Sequence, residues 1–225
     1  MFRELWRKKV LIVFIAALLI LFPAASVRPA QALSKVVFLS VGVEHGVDGY
    51  TVTGAVMVNR FTNTGEGETR VVSADGTTIE AAFDKITADQ GREVSLAHCN
   101  LVVFGASLGT ENVAEVLKFF VMQPEISNNA LLVWTDADVG KLLETSATER
   151  TDTAGGLVET IVARNQHVHS MPLTLERFYK NYLKGREGFM SVITLENGEI
   201  RNTRQLAVFT GGVFKEISYH QDVRG

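Results

Sequence analysis

The chain has 225 residues, of which 46% are hydrophobic and 21% charged, with a formal net charge of −3 and one cysteine. This length allows one large domain or two small ones. The apolar share excludes a disordered chain, the 4 prolines and 19 glycines exclude a fibrous one, and the single cysteine excludes a disulfide scaffold. The slightly acidic balance lacks the basic stripe of a dedicated nucleic-acid binder, so we expect no nucleic-acid partner.

The first 32 residues have the pattern of an export signal or an N-terminal membrane anchor. Residues 1–9 hold four basic side chains and one acid, and an unbroken apolar run from Val10 to Phe22 follows. About 13 apolar residues are typical of a secretory signal peptide, whereas a transmembrane helix usually needs about 20. Extension of the run through Val27 approaches that length, so anchoring is the alternative to cleavage. A buried core helix is disfavoured, because nothing polar interrupts the run on any face.

The rest of the chain, residues 33–225, is predicted to be an exported domain. Ala30-Gln31-Ala32 has the small-x-small pattern of a signal peptidase site, with cleavage before Leu33. Both alternatives place this domain outside the cytoplasm, because the positive charges precede the apolar run. It has 17 basic and 24 acidic residues, a net charge of −7, which is poorly suited to holding an anionic membrane by charge alone. The polar stretch 146–152 is a candidate boundary within it.

Strand and helix patterns alternate through the first part of this domain. Apolar or alternating runs predict strands, the first two forming a hairpin, at 36–43, 50–61, 69–73, 101–105 and 130–134. Helical spacing with caps predicts three helices: one from Thr77 or Thr78 that buries Ile79, Ala82, Phe83 and Ile86, one from Thr110 or Glu111 to Pro124, and a short one capped by Asp136.

The second part adds two helices and a return to strands. The helices are predicted at 155–168 and from Leu173 or Thr174 to Gly185. Strands are predicted at 189–195, 206–209 and 213–217, joined by the turns Asn197-Gly198 and Gly211-Gly212. The fold class is therefore α+β, a mixed β-sheet with packed helices and with hairpins at its N- and C-terminal ends.

The single cysteine is the first residue to consider for chemistry. Cys99 follows His98, a pair that invites a nucleophile hypothesis. Neighbouring residues on a strand point to opposite faces, so His98 is badly placed to activate Cys99. A buried structural thiol is the favoured interpretation, and a lone cysteine forms no intramolecular disulfide.

Other candidate residues are equally weak. His167 and His169 could share one face of a strand, with Glu159 or Glu176 completing a metal site, but a solvated loop explains them as well. Asp136 and Asp138 could be paired carboxylates, yet a helix start explains them by capping. Glu66 and Glu68 lie in a glycine loop that matches no calcium-loop pattern. Sequence motifs of hydrolases, phosphate-binding loops and metalloproteases are absent, so we predict no enzyme and assign no catalytic, cofactor or metal residues.

The order of three segments resembles a known family. These segments are Gly49-Tyr50 with the strand after it, Gly76-Thr77-Thr78-Ile79-Glu80-Ala81-Ala82-Phe83, and Leu117 to Asn129 with Pro124-Glu125-Ile126 as its most distinctive part. Together with Val36 to Val43, His98, Val102-Val103-Phe104-Gly105, Leu131 to Trp134 and Ala137 to Leu143, they resemble the N-terminal region of the C subunits of spore-germinant receptors, the Ger(x)C family. The resemblance extends over about residues 36–217 and rests on order and spacing.

The resemblance implies a non-enzymatic role in spore germination. It implies contacts with integral-membrane germinant-receptor subunits and a place on the extracytoplasmic face of the spore inner membrane. Family members typically carry a lipid-attachment cysteine after the signal, which this chain lacks before Cys99, so any tether is the uncleaved apolar segment. They also carry a further C-terminal domain, whereas this chain resembles the N-terminal part alone. The alternatives are a generic secreted binding domain and an extracytoplasmic metal-dependent enzyme using the His167 and His169 region.

Overall fold

The computed structural model describes residues 35–58, 68–148 and 173–219. Within these ranges the strands are β1 (Val36–Gly46), β2 (Gly49–Val58), β3 (Glu68–Gly76), β4 (Val94–Ser95), β5 (Leu101–Gly105), β6 (Leu131–Thr135), β7 (Gly188–Glu196), β8 (Glu199–Thr210) and β9 (Val213–Tyr219). The α-helices are α1 (Ile79–Gln90), α2 (Ala114–Met122), α3 (Val139–Thr148) and α4 (Leu175–Leu183), and a 3-10 helix spans Ala106–Thr110.

All nine strands belong to one mixed sheet. Its order is β3-β2-β1-β5-β6-β7-β8-β9, and the short β4 pairs with the start of β1. The central strands β1, β5, β6 and β7 are parallel to one another, whereas β1–β2–β3 and β7–β8–β9 are antiparallel meanders. This arrangement confirms the α+β class with hairpins at both ends of the sheet.

The turn residues set the register of the β1–β2 and β7–β8 hairpins. In the β1–β2 hairpin, His45 lies opposite Tyr50 and Gly46 opposite Gly49. In the β7–β8 turn, Asn197 has φ 53° and Gly198 has φ 80°. A two-residue turn whose twist matches that of the strands needs a positive φ at both of its residues. Asparagine and glycine tolerate that conformation better than other residues do, which explains why the sequence signal was reliable here.

The core lies on both faces of the sheet. On one face, α1, α2 and α4 cover β1, β5 and β6, and the cluster is rich in aromatic residues, with Phe38, Phe104, Phe120 and Phe209 almost fully buried. On the other face, α3 buries Val139, Leu142 and Leu143 against β5 and β6. Helix α3 contacts β3 at one end of the strand order and β8 near the other end.

Several sequence predictions need correction. Helix α2 begins at Ala114 rather than at Thr110 or Glu111, because the preceding residues form the 3-10 helix. Helix α3 is capped by Asp138, whose Oδ1 accepts the Lys141 N–H at 2.8 Å, and not by Asp136. It continues through Thr148, into the stretch predicted as a polar connection.

Other differences concern strand length and coverage. Strands β3 and β8 are longer than predicted, and β4 had no pattern to reveal it because two residues carry no periodicity. The predicted helix at 155–168 and the end of the second predicted strand, 59–61, lie outside the described residues. None of the helices in the described ranges combines the length and apolar character that crossing a bilayer requires.

Candidate protein-interaction groove

A surface groove of about 360 Å³ lies where β2 begins, α1 begins and α2 presents its outer face. A volume of this size is at the lower end of what ligand sites usually offer, about 300–1,000 Å³. Its wall combines apolar, aromatic and charged side chains. The lining residues are Tyr50, Thr77, Thr78, Ile79, Glu80, Glu115, Lys118, Phe119, Met122 and Gln123.

Two glycines let β3 turn directly into α1 beside Tyr50. A side chain on Gly76 would collide with backbone atoms of Ala82 and Thr78, and one on Gly49 would collide with the Gly76 carbonyl. Gly49 also has φ 147°, which side-chain-bearing residues rarely adopt. Thr78 then caps the helix, and its Oγ1 accepts the Ala81 N–H at 3.1 Å. This wall of the groove is therefore built from backbone that cannot easily shift.

Helix α2 forms the opposite wall. Glu115, Lys118, Phe119, Met122 and Gln123 recur at spacings of three and four residues and therefore share one face of the helix. The other face buries Val116, Leu117 and Phe120 in the core. A helix that hides one apolar stripe usually presents polar residues on its other side. Here the outer side carries Phe119 and Met122, so apolar surface remains exposed.

The apolar part of the groove has a packed floor and an exposed rim. Phe119 stacks on Phe83 at 5.5 Å between ring centroids and meets Phe120 edge-on at 5.2 Å. Met122, by contrast, is 69% exposed. Methionine has an unbranched and polarisable side chain, which adapts to the shape of a bound surface.

The other end of the groove is acidic. The Tyr50 hydroxyl donates to Glu115 Oε2 at 3.4 Å. Burial raises the pKa of Tyr50, and the negative charges of Glu115 and Glu111 raise this pKa further. Two carboxylates therefore create a negative potential at the tyrosine ring, at the same end where Glu80 lies in the first turn of α1.

A histidine holds Tyr50 in place. The His45 ring stacks on the Tyr50 ring at 5.3 Å between centroids, with 22° between the planes. Its Nε2 lies 3.2 Å from Glu111 Oε2, and its Nδ1 lies 3.1 Å from the Gly49 carbonyl oxygen. Glu111 Oε2 and the Gly49 carbonyl oxygen are both acceptors. The ring can donate to both of them at once only when both of its nitrogens carry hydrogen. The His45 backbone N–H donates to Ser107 Oγ at 2.8 Å, which ties the hairpin to the 3-10 helix.

The distinctive Pro124-Glu125-Ile126 turn fastens the far end of α2. Glu125 Oε2 accepts the Leu96 N–H at 2.9 Å and the Ser95 hydroxyl at 3.0 Å, while Oε1 lies 3.4 Å from Lys35 Nζ. These contacts, the Leu96 N–H first, lower the pKa of Glu125, although burial acts in the opposite direction. Glu125 is therefore a structural link between α2 and the β4 region.

We predict that Glu125→Gln lowers the free energy of unfolding by about 1 kcal/mol, because it weakens charge-assisted hydrogen bonds that are partly exposed. The carboxylate has a lowered pKa in the folded state. Its stabilising effect is therefore present above its ordinary value of 4.5 and is lost as the pH falls through the folded-state value. Urea titrations should show the largest difference from wild type near neutral pH and a smaller one below pH 4.5.

Glu93→Gln is the matched control for this prediction. Glu93 also faces Lys35, at 3.8 Å, but its side chain is 76% exposed. We expect this control to change stability by less than about 0.5 kcal/mol, as is usual for exposed pairs. Equal effects of the two substitutions would contradict the role given to the Leu96 and Ser95 bonds.

The residues singled out from sequence do not meet in one place. Cys99 is buried, and burial raises the pKa of its thiol to about 12, whereas His98 is exposed. The thiol is therefore protonated at neutral pH and contacts the Leu101 carbonyl at 3.4 Å. The structure supports the structural interpretation of this cysteine.

The acidic and histidine candidates are likewise dispersed. Asp138 lies close enough to Glu44 to act on its charge. Burial raises the pKa of Glu44 and the negative charge of Asp138 raises this pKa further, whereas a hydrogen bond from the Val139 backbone N–H lowers it. Glu176 bonds Lys180 at 2.6 Å within α4. No three metal-binding side chains cluster in the part of the chain that the structure describes. Outside the described residues lie His167, His169, Glu159 and Glu66.

The groove itself was missed by sequence reasoning, although one signal for it existed. Phe119 and Met122 are apolar residues that fall off the buried stripe of α2. Large apolar residues on the outer side of a helix indicate a contact surface when they are grouped. What sequence could not show is that Tyr50 and the start of α1 lie opposite them.

The segments that carried the family resemblance converge on this groove. Gly49-Tyr50, Gly76 to Glu80 and Leu117 to Glu125 are far apart in the chain, yet each supplies part of its wall or its support. A relative with a described function is the spore germination protein GerQC of Bacillus cereus, 20% identical over 158 residues. The match covers 69% of this chain and 44% of GerQC, so the chain spans less than half the length of that relative.

A solved structure and a family model are also similar to the chain. A crystal structure of the GerBC protein is similar to this chain with a TM-score of 0.42 and 13% identity, over 82% of this chain and 53% of that one. The family model of the spore germination protein N-terminal domain matches residues 36–195, which is well over half of the chain. The resemblance expected from the sequence is confirmed, and the chain belongs to the family of spore germination protein N-terminal domains.

Proposed function

We propose that this chain is a non-enzymatic, exported component of spore germination that acts through protein contacts at the extracytoplasmic face of a membrane. The observation that supports the germination role is the family match over residues 36–195. The observation that supports a contact role is the groove, where exposed Met122 and half-buried Phe119 lie beside charged residues on rigid elements. The proposed partners are integral-membrane subunits of a germinant receptor.

The proposed location depends on the N-terminal segment. Its basic flank and apolar run export residues 33–225, and the same run tethers them if it is not cleaved. Fractionation of cells followed by N-terminal sequencing of the mature chain tests this step. A membrane-bound species with the intact N-terminus supports the tether. A soluble species that begins at Leu33 excludes the tether and leaves a secreted component.

The absence of catalysis is also part of the proposal. The thiol that sequence offered as a nucleophile is buried and has a pKa of about 12. A nucleophilic cysteine needs the reverse, an accessible thiol with a lowered pKa. The Tyr50 hydroxyl is likewise unsuited to act as a nucleophile, because burial and then the negative charges of Glu115 and Glu111 raise its pKa and disfavour the phenolate.

Substitution in the groove should impair germination without unfolding the domain. We predict that Met122→Glu slows nutrient-triggered germination by about fivefold or more, because a carboxylate at the apolar end of the groove must lose its hydration against the partner. Germination is measured as the fall in optical density of purified spores, with immunoblots to verify equal protein levels. Met122 is 69% exposed, so the folded domain should tolerate the charge.

Leu183→Glu is the matched control, since Leu183 is 65% exposed, lies on α4 and does not line the groove. We expect spores with this control to germinate like wild type. Equal slowing by both variants would show a general surface effect instead of a groove contact. A deletion strain that germinates normally with every nutrient trigger would refute the germination role and leave a generic binding domain.

A further inference from the structure

We infer that the groove binds a short extended segment of a partner protein in which a lysine or arginine lies two positions from an apolar residue. The inference rests on the proposed function, because it names the partner chemistry of the same groove. The cationic side chain would lie at the Tyr50 and Glu115 end. The apolar side chain would lie at the Phe119 and Met122 end.

Charge favours a cation at the first end. Glu115 and Glu80 both line the groove, and Glu111 faces Tyr50 from beside it. The nearest lining cation, Lys118, lies one turn further along α2, towards the apolar end. Exported residues 33–225 carry a net charge of −7, so the surrounding field also favours a positive ligand.

Spacing favours a separation of two positions. Glu115 and Phe119 are four residues apart on α2, which is about 6 Å along a helix axis. Alternate side chains of an extended segment that face the same way are about 6.6 Å apart. One segment can therefore place its cation beside Glu115 and its apolar side chain against Phe119 and Met122 without distortion.

The polar residues of the groove lining favour an extended backbone. Thr77, Gln123 and Lys118 carry hydrogen-bonding groups along the groove. An extended segment has unpaired backbone N–H and C=O groups that need such partners, whereas the backbone of a helix satisfies its own groups. The groove therefore suits a strand-like or loop segment.

The inference is tested with the purified full-length chain in detergent micelles and fluorescent five-residue peptides. The probe carries Arg-Gly-Leu between terminal glycines, and such a short peptide forms no stable helix. Comparison peptides carry Glu-Gly-Leu and Arg-Gly-Ser. We expect the first probe to bind at least about threefold more tightly than either comparison, with weakening at high salt.

Two substitutions one turn apart on α2 should act in opposite directions. Glu115→Lys is expected to weaken binding of the Arg-Gly-Leu probe about fivefold, whereas Lys118→Glu is expected to strengthen it about twofold. The control is Glu216→Lys. Glu216 is an exposed acid on β9, at the other end of the strand order, so the substitution makes the same charge change as Glu115→Lys and should leave binding unchanged. Circular dichroism verifies that all three variants fold.

Several results would overturn the inference. Equal effects of Glu115→Lys and Glu216→Lys would indicate a nonspecific charge effect. If free arginine competes with the probe as well as the unlabelled peptide does, the groove is a site for a cation alone. Dimers that dissociate on Met122→Glu would indicate that a second copy of the chain occupies the groove. The germination assays are independent of this experiment. Groove variants that slow germination without affecting the probe refute this inference only, and probe binding without a germination defect refutes the proposed function only.

Discussion

Replacement of Leu142 by alanine is expected to lower the free energy of unfolding by about 3 kcal/mol, since removal of a fully buried leucine side chain typically costs 2–5 kcal/mol. Leu142 is 0% exposed and lies on α3, in the cluster that covers the second face of the sheet. The sheet packs closely against this helix, since a side chain on Gly42 would collide with Val139. We therefore expect the neighbouring residues to fill little of the space that the leucine leaves.

Urea unfolding of the full-length chain, followed by far-ultraviolet circular dichroism, measures this effect. Lys141→Ala is the control, because Lys141 is the exposed neighbour on the same helix. We expect the control to change stability by less than about 0.5 kcal/mol. A loss below about 1 kcal/mol for Leu142→Ala would mean that α3 is not packed as described.

Replacement of Gly54 by alanine is expected to destabilise the domain by about 2 kcal/mol through overpacking. A side chain at this position would overlap the Phe38 ring on the neighbouring strand, and Phe38 is itself fully buried. Gly54 lies within β2 and does not have a positive φ, so its backbone conformation suits alanine. In the absence of the ring, alanine would be the better strand residue because it restricts the unfolded chain.

The double variant Phe38→Leu with Gly54→Ala separates the two contributions. Leucine leaves room where the ring edge was, so we expect the double variant to be more stable than the sum of the single effects predicts, by at least about 1 kcal/mol. The same urea titrations give all four stabilities. Strict additivity would show that the ring does not limit residue 54.

The local elements of this protein were largely predictable from sequence. Ile79, Ala82, Phe83 and Ile86 predicted the buried stripe of α1, and Thr78 predicted its cap. Asn197-Gly198 predicted the tight β7–β8 turn. These signals are reliable because each depends on neighbours within one turn of the chain. Boundaries failed where tertiary contacts decide them, as at the 3-10 helix before α2.

The candidate site was predictable only in its pieces. The burial of Cys99 was predicted correctly, whereas α3 is capped by Asp138 and not by the predicted Asp136. The electrostatic repulsion between Asp138 and Glu44 and the hydrogen bond of Tyr50 to Glu115 join residues more than 60 positions apart. No periodicity or spacing along a chain encodes such contacts, because they depend on how the sheet orders its strands.

The sequence by itself determined the α+β class and the family, because the order of local patterns is a property of the chain, and its charge and apolar length predict an export signal. Only the tertiary structure decided that α3 lies alone among the described helices on the second face, and that three distant segments form one groove. The physical reason is the crossover topology: β5 pairs with β1 and not with β4, which brings α2 beside the start of α1 and the β1–β2 hairpin. The acidic, partly apolar character of this groove therefore arises from packing.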